Sequence, residues 1–148
     1  MTYDANLEEK AKILLVEDNP VDIDLTLRAF KKQMGHFNIE IAKDGEEASQ
    51  TIQRWISGEE APPDIILMDL KMPRMDGFDV LKILKQSPVS SAIPVIILTS
   101  SNEENDIVAA YQLGANSYLL KPIDYSKFLT LIQLIVQYWI EENCTVRS

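Results

Sequence analysis

The chain has 148 residues, 46% hydrophobic and 25% charged, which suits one globular domain with a buried core. Its formal net charge of −9 excludes the basic surface that direct, nonspecific nucleic-acid binding or docking on anionic membranes requires. A single cysteine, Cys144, excludes a disulfide framework, no apolar run approaches the roughly 20 residues of a membrane span, and the polar start excludes a signal peptide, so a cytoplasmic protein is expected.

Five short apolar runs predict five strands. Residues 13–16 (Ile-Leu-Leu-Val), 65–68 (Ile-Ile-Leu-Met) and 95–98 (Val-Ile-Ile-Leu) are continuously apolar, as in strands buried on both faces. Residues 39–42 alternate and belong nearer an edge; residues 117–120 form the fifth run. Between them lie segments of helical period. Residues 21–34 carry Ile23, Leu27 and Phe30; residues 46–56 follow the cap signal Asp44-Gly45; residues 78–84 follow Asp76-Gly77. Residues 103–113 end at Gly114, and the last helix spans residues 124–140. Strand-helix alternation with short links predicts an α/β fold: a five-stranded parallel sheet in the order 2-1-3-4-5, doubly wound with helices on both faces. The expected domain spans residues 12–141 between polar tails at 1–11 and 142–148, with no output domain.

In such a sheet the strand ends share one edge, where ligands bind. The first strand ends in Glu17-Asp18, the third in Asp69, the fourth in Thr99-Ser100 and the fifth in Lys121-Pro122. Three carboxylates together repel unless a cation neutralises them, and hard oxygen ligands without His or Cys suit Mg²⁺. An aspartate beside Mg²⁺ can attack a phosphoryl group, a lysine can hold a phosphoryl oxygen, and a threonine hydroxyl can donate to another.

Glu17-Asp18, then Asp69-Leu70-Lys71-Met72-Pro73-Arg74-Met75-Asp76-Gly77, Thr99, and Lys121-Pro122 together resemble the receiver domain of two-component response regulators. The resemblance implies a flavodoxin-like (βα)5 fold and Asp69 as phosphoacceptor from a sensor histidine kinase. It implies Asp18 as a direct Mg²⁺ ligand, Glu17 acting through water, and the Lys71 backbone carbonyl completing the set with Asp69. Lys121 then contacts the phosphoryl group and precedes a cis peptide to Pro122. Thr99 moves onto the phosphoryl group and Tyr118 turns inward with it. The receiver catalyses only its own phosphorylation and dephosphorylation. A narrower resemblance rests on Glu17-Asp18-Asn19-Pro20, residues 113–118 and Tyr138-Trp139. These are similar to stand-alone regulators paired with bacterial, especially cyanobacterial, phytochromes.

Plainer roles compete for several residues. Glu17-Asp18 alone can be a helix cap, Asp76 a turn or cap residue with Gly77 supplying a permissive backbone, and Tyr118 simple packing. His36 reads as a surface loop residue, Met72 and Met75 as loop packing, and Cys144 as a free thiol. The last helix carries no charge between Phe128 and Ile140, so its wide apolar face predicts an interface, most simply a homodimer through Tyr118, Phe128, Ile135, Tyr138 and Trp139. Packing within the domain is the alternative. Three other functions are weighed: a phosphorylation-independent protein-binding receiver, an aspartyl-nucleophile phosphatase, and a flavin domain. The phosphatase is disfavoured by Lys71 where a second acid would stand. The flavin domain is disfavoured because no Ser/Thr/Gly-rich loop follows the first strand.

Overall fold

The computed structural model describes residues 9–144. Five parallel strands form one sheet in the order β2-β1-β3-β4-β5. They are β1 (Glu9–Val16), β2 (His36–Ala42), β3 (Ile65–Met68), β4 (Val95–Thr99) and β5 (Ser117–Leu120). The helices between them are α1 (Pro20–Lys31), α2 (Gly45–Ile56), α3 (Gly77–Leu84) and α4 (Glu104–Gln112), with a single helical turn at Pro88–Ser91. The chain closes with α5 (Tyr125–Ile135), which continues as a π-helical segment, Val136–Glu142.

The continuous apolar runs of the inner strands divide between two cores, because successive side chains point to opposite faces. Leu14, Val16, Ile66, Met68 and Ile97 pack on one face against Ile52 and Trp55 of α2, Val80 and Leu84 of α3, and Ala110 of α4. Ile13, Leu15, Ile65, Leu67 and Ile96 pack on the other against Ala29 and Phe30 of α1 and Phe128, Ile132 and Ile135 of α5. Each such side chain contributes about 1.5–3 kcal/mol of burial.

Several expected boundaries move. β1 begins at Glu9, inside the expected 1–11 tail, and β2 begins at His36, so His36 is an exposed strand residue rather than a loop residue. The cause is local. Glu9, Ala11 and Lys12 pair only with β2, and pairing of β1 with β3 begins at Ile13. Only the doubly flanked half must be uniformly apolar. Residues 1–8 and 145–148, the outer parts of the expected tails, lie outside the described residues. The expected single helix over 124–140 becomes an α-helix with a π-helical end.

Helix starts follow the sequence cues. Asp44 caps α2, and Asp76 with Asp79 forms a reciprocal capping box on α3. Asn19, not the Glu17-Asp18 pair, caps α1. Gly114 adopts φ +105° after α4, as a C′ glycine should. Gly77 serves a different purpose from the expected backbone freedom, because its φ is not positive. A Cβ there would stand 2.7 Å from the Asp69 carbonyl oxygen and 2.9 Å from Leu70 Cα. Glycine is required for this close approach, which holds the loop after β3 against α3. The peptide bond between Lys121 and Pro122 is trans, correcting the cis bond implied by the resemblance. Trans is the intrinsically favoured form by about 0.5–1 kcal/mol. Among the described residues, no helix is long and apolar enough to cross a membrane.

Candidate functional site

The strand ends bring Glu17, Asp18, Asp69, Lys71, Thr99 and Lys121 to one polar cleft of about 380 Å³. A larger apolar groove, about 630 Å³, lies between α1 and β2 and holds none of these residues. Glu17, Asp69 and Thr99 are buried, whereas Asp18 and Lys71 are exposed. The cleft thus has a buried floor and a wet rim, set by distance from the sheet: Thr99 ends β4 and Glu17 and Asp69 directly follow β1 and β3, whereas Asp18 and Lys71 lie further out in the loops.

Lys121 organises the floor. Its Nζ donates to Glu17 Oε1 at 2.6 Å, to Asp22 Oδ2 at 2.8 Å and to Asp69 Oδ2 at 2.9 Å. An ammonium has three protons, and all three are engaged. Burial disfavours the charge on Lys121, but the bonds to Asp22, Glu17 and Asp69 outweigh it and hold its pKa above the ordinary lysine value. Burial raises the Glu17 carboxyl against the lowering pull of Lys121, with Asp69 raising it further. Glu17 Oε2 also accepts from the Asn19 backbone N–H at 3.2 Å, tying the floor to the start of α1.

A second wall begins at Thr99 and Lys71 in the cleft lining and continues beside the cleft as a chain of hydrogen bonds. Thr99 is fully buried, and its Oγ1 accepts a long bond, 3.4 Å, from the Ser101 backbone N–H. Tyr118 is half-buried, packs against the core and donates its hydroxyl to the Ser101 carbonyl at 2.8 Å. Burial raises the Tyr118 phenol pKa while this bond opposes the shift. Ser101 Oγ donates to Asp106 Oδ2 at 2.6 Å, and Lys71 Nζ lies 3.3 Å from the same oxygen. The Ser101 hydroxyl, aided by Lys71, holds Asp106 below the usual carboxylate range. The loops after β3 and β4 are thereby joined beside the cleft.

Among the described residues, no three His, Cys, Asp or Glu side chains are gathered into a ready-made metal cage. The Lys121 ammonium stands between Glu17 and Asp69 instead. The donor set nonetheless suits a hard divalent cation: carboxylate oxygens on two adjacent strand ends, an exposed Asp18, and room for water. Mg²⁺ keeps several waters and needs only one or two direct carboxylates.

Two features escaped the sequence reading. Asp22, one helical turn beyond Asp18, joins the lysine cage, and Asp106 links Lys71 to Ser101. The only signal for Asp22 was an acid in the first turn of a helix leaving the same sheet edge. The expected partner face is corrected in part. Phe128 and Ile135 are buried, at 6% and 2% exposure, because α5 turns them onto the sheet. Tyr138 is 56% exposed, with Leu134 exposed one turn earlier, while Trp139 is half-buried and stacks edge-on against Tyr138.

Comparisons with known proteins agree with this geometry. The chain is 37% identical over 130 residues to response regulator Rcp1 of Synechocystis, covering 87% of this chain and 88% of that protein. It is 36% identical over 136 residues to the probable methanogenesis regulatory protein FilR2 of Methanothrix harundinacea, covering 92% and 88%. The structure of the phosphorylated cyanobacterial phytochrome response regulator RcpA superposes with a TM-score of 0.85 at 33% identity, over 92% of this chain and 98% of that one. The Mn²⁺-bound form of Rcp1 superposes with a TM-score of 0.82 at 34% identity, over 91% and 98%. The model of the response regulator receiver domain matches residues 13–133, from the second half of β1 into α5 and across every strand end that lines the cleft. With its acids, threonine and lysine on the strand ends of a 2-1-3-4-5 sheet, the chain belongs to the response regulator receiver domain family and is a signalling protein of that kind.

Proposed function

We propose that Asp69 accepts a phosphoryl group from a phosphohistidine of a sensor histidine kinase, and that this transfer switches a protein-binding face. The observation that carries the reading is the placement of Asp69 Oδ2 at 2.9 Å from the Lys121 ammonium on the buried floor of a cleft open to solvent. Asp69 oxygen attacks phosphorus, a P–O bond forms, and the P–N bond to imidazole breaks. Lys121 holds the oxygens of the transferring group as a fixed positive charge. Bound Mg²⁺ offsets the negative charge that accumulates in the transfer. Asp18, Glu17, Asp69 and the Lys71 backbone carbonyl are the groups that would hold it. Later attack by water on the aspartyl phosphate, in the same cleft, returns the free carboxylate. The chain catalyses no other reaction.

Thr99 follows the phosphoryl group, and Ser101 carries that movement to Tyr118, because both side chains bond to the Ser101 backbone. The affected face lies along β5 and α5. There Leu134 and Tyr138, four residues apart and both more than half exposed, sit on a helix without charge from Phe128 to Ile140. We assign a second copy of this chain to that face, and a phytochrome-type kinase as the phosphodonor, the latter from the likeness to Rcp1 and RcpA.

The test is intact mass after incubation with Mg²⁺ and acetyl phosphate. One added phosphoryl group is expected on the wild type, with none in Asp69→Asn or without Mg²⁺. No adduct on the wild type, with Mg²⁺ binding intact, would favour a phosphorylation-independent binding module. Sedimentation of the wild type and Leu134→Asp tests the self-association: a monomer at all concentrations, phosphorylated or not, would refute it.

A further inference from the structure

Lys121 has three partners, and two of them have other duties in the proposed reaction. Asp69 is the reacting group, and Glu17 belongs to the acid pair that faces a cation. Asp22 belongs to neither set, yet its Oδ2 lies 2.8 Å from Lys121 Nζ, across 99 residues of sequence. Its backbone is pinned on both sides. The Asp22 N–H donates to Asn19 Oδ1 at 3.2 Å, and its carbonyl accepts from the hydroxyl of buried Thr26 at 2.7 Å. The carboxylate therefore projects from a rigid first turn of α1. It is also the outermost partner: the Asp22 side chain is 32% exposed, against 5% for Glu17 and 10% for Asp69.

We propose that Asp22 is a positioning residue for phosphoryl transfer, holding the Lys121 ammonium from the mouth of the cleft while Glu17 and Asp69 are engaged elsewhere. The inference rests on Asp69 being the phosphoacceptor. Lysine is a point charge on a flexible four-carbon stem, so its direction must come from its acceptors. A divalent cation competes with Lys121 for Glu17 and Asp69 oxygens, and phosphorylation alters the Asp69 acceptor itself. Asp22 remains the acceptor that answers to Lys121 alone. With one proton anchored on Asp22 in the first turn of α1, the ammonium stays aimed at the oxygens of the transferring group. Asp22 makes and breaks no bond, and acts only by preserving that aim.

The experiment uses the full chain as wild type, Asp22→Ala and Asp22→Asn, phosphorylated by acetyl phosphate across an Mg²⁺ titration. Asp22→Ala is expected to lower the limiting rate at saturating Mg²⁺ about tenfold, the scale of lost supporting contacts to a reactive group. Its half-saturating Mg²⁺ concentration is expected to change far less than the limiting rate does. Asp22→Asn should recover most of the rate, since the amide oxygen can accept the same hydrogen bond. An unchanged limiting rate in Asp22→Ala would overturn the proposal. So would a defect confined to Mg²⁺ affinity, which would make Asp22 a cation group. The ¹⁵N signal of the Lys121 ammonium, assigned by its loss in Lys121→Arg, gives a readout independent of phosphorylation. Its protons should exchange slowly in the wild type and rapidly in Asp22→Ala; equal exchange refutes the hold on Lys121. Should the wild type take no phosphoryl group, the Asp69 reading fails by itself, and the ammonium signal still decides whether Asp22 holds the lysine.

Discussion

The two walls of the cleft are built on opposite principles. On the acid side, one ammonium satisfies three carboxylates that come from β1, α1 and β3, and the Glu17, Asp69 and Lys121 side chains are all nearly buried. On the hydroxyl side, Thr99, Ser101, Asp106 and Tyr118 form a chain of single bonds that ends at the exposed Lys71, whose side chain is 63% accessible. Charges taken out of water tolerate little displacement, because each loses a partner that solvent cannot replace. The Ser101 and Tyr118 side chains, only half-buried, can exchange hydrogen-bond partners at small cost. Chemistry that needs a fixed electrostatic frame therefore belongs to the first wall, and a switch that must move belongs to the second.

The largest effect should come from emptying the acid wall of its cation. Lys121→Met leaves Glu17 and Asp69 buried without a counter-charge and should cost about 3 kcal/mol at neutral pH without divalent metal. Urea unfolding measures this, and added Mg²⁺ should restore part of the loss. The pH dependence has a definite sign. Burial raises the Glu17 carboxyl in the folded protein, so its protonated form is favoured by folding. Glu17's contribution is most favourable below its unfolded pKa and is lost as pH rises through its folded pKa. The Lys121→Met defect should accordingly shrink on acidification through the carboxylate range. A defect of constant size would locate the loss in packing rather than charge.

Next comes Gly77→Ala, which forces a methyl against the Asp69 carbonyl and Leu70 backbone. Overpacking of this kind should cost about 2 kcal/mol and slow phosphorylation, because it moves the backbone that carries the nucleophile. A variant as stable as wild type would show that the α3 entry is softer than its contacts suggest.

The hydroxyl wall should respond more weakly. Tyr118→Phe removes one bond to a backbone carbonyl, about 1 kcal/mol, and should leave the rate of phosphoryl uptake near wild type. The ultraviolet titration should lose a phenol that ionises above the ordinary tyrosine value. A large fall in uptake would mean that the two walls are coupled before phosphorylation. Asp106→Asn should be smallest, below about 1 kcal/mol, because its partner Lys71 is exposed. The Ser101 bond and Lys71 depress the Asp106 pKa, so its stabilisation is present above the ordinary aspartate pKa and disappears as pH falls through the folded value. Wild type and variant should therefore converge in acid; a gap that persists there would mean the loss is not electrostatic.

These contrasts show where reading the chain succeeded. The alternation of apolar runs with helical segments implied parallel strands, and a parallel sheet places every strand end on one edge. Glu17, Asp69, Thr99 and Lys121 could thus be gathered from sequence alone. Asp44, Asp76 and Gly114 were legible because capping is a local matter of one side chain and its own backbone.

Whatever depends on direction around a helix or on partners in space was decided by the tertiary structure. Asp22 joined the cleft, and Asp106 the contacts beside it, because α1 and α4 bring these carboxylates within reach of Lys121 and of Ser101 and Lys71. Phe128 and Ile135 turned inward and Leu134 outward because α5 presents one side to Ile13, Leu15 and Ile96. A helix without charge from Phe128 to Ile140 does not announce which side that is. The first residues of β1 were hidden for the complementary reason: a strand with a neighbour on one side only need not be apolar throughout. Composition and period determined the strands, their order and the acids, threonine and lysine at their ends. Packing alone determined which carboxylates share the lysine, since that choice is made by distance in three dimensions between residues up to 104 positions apart.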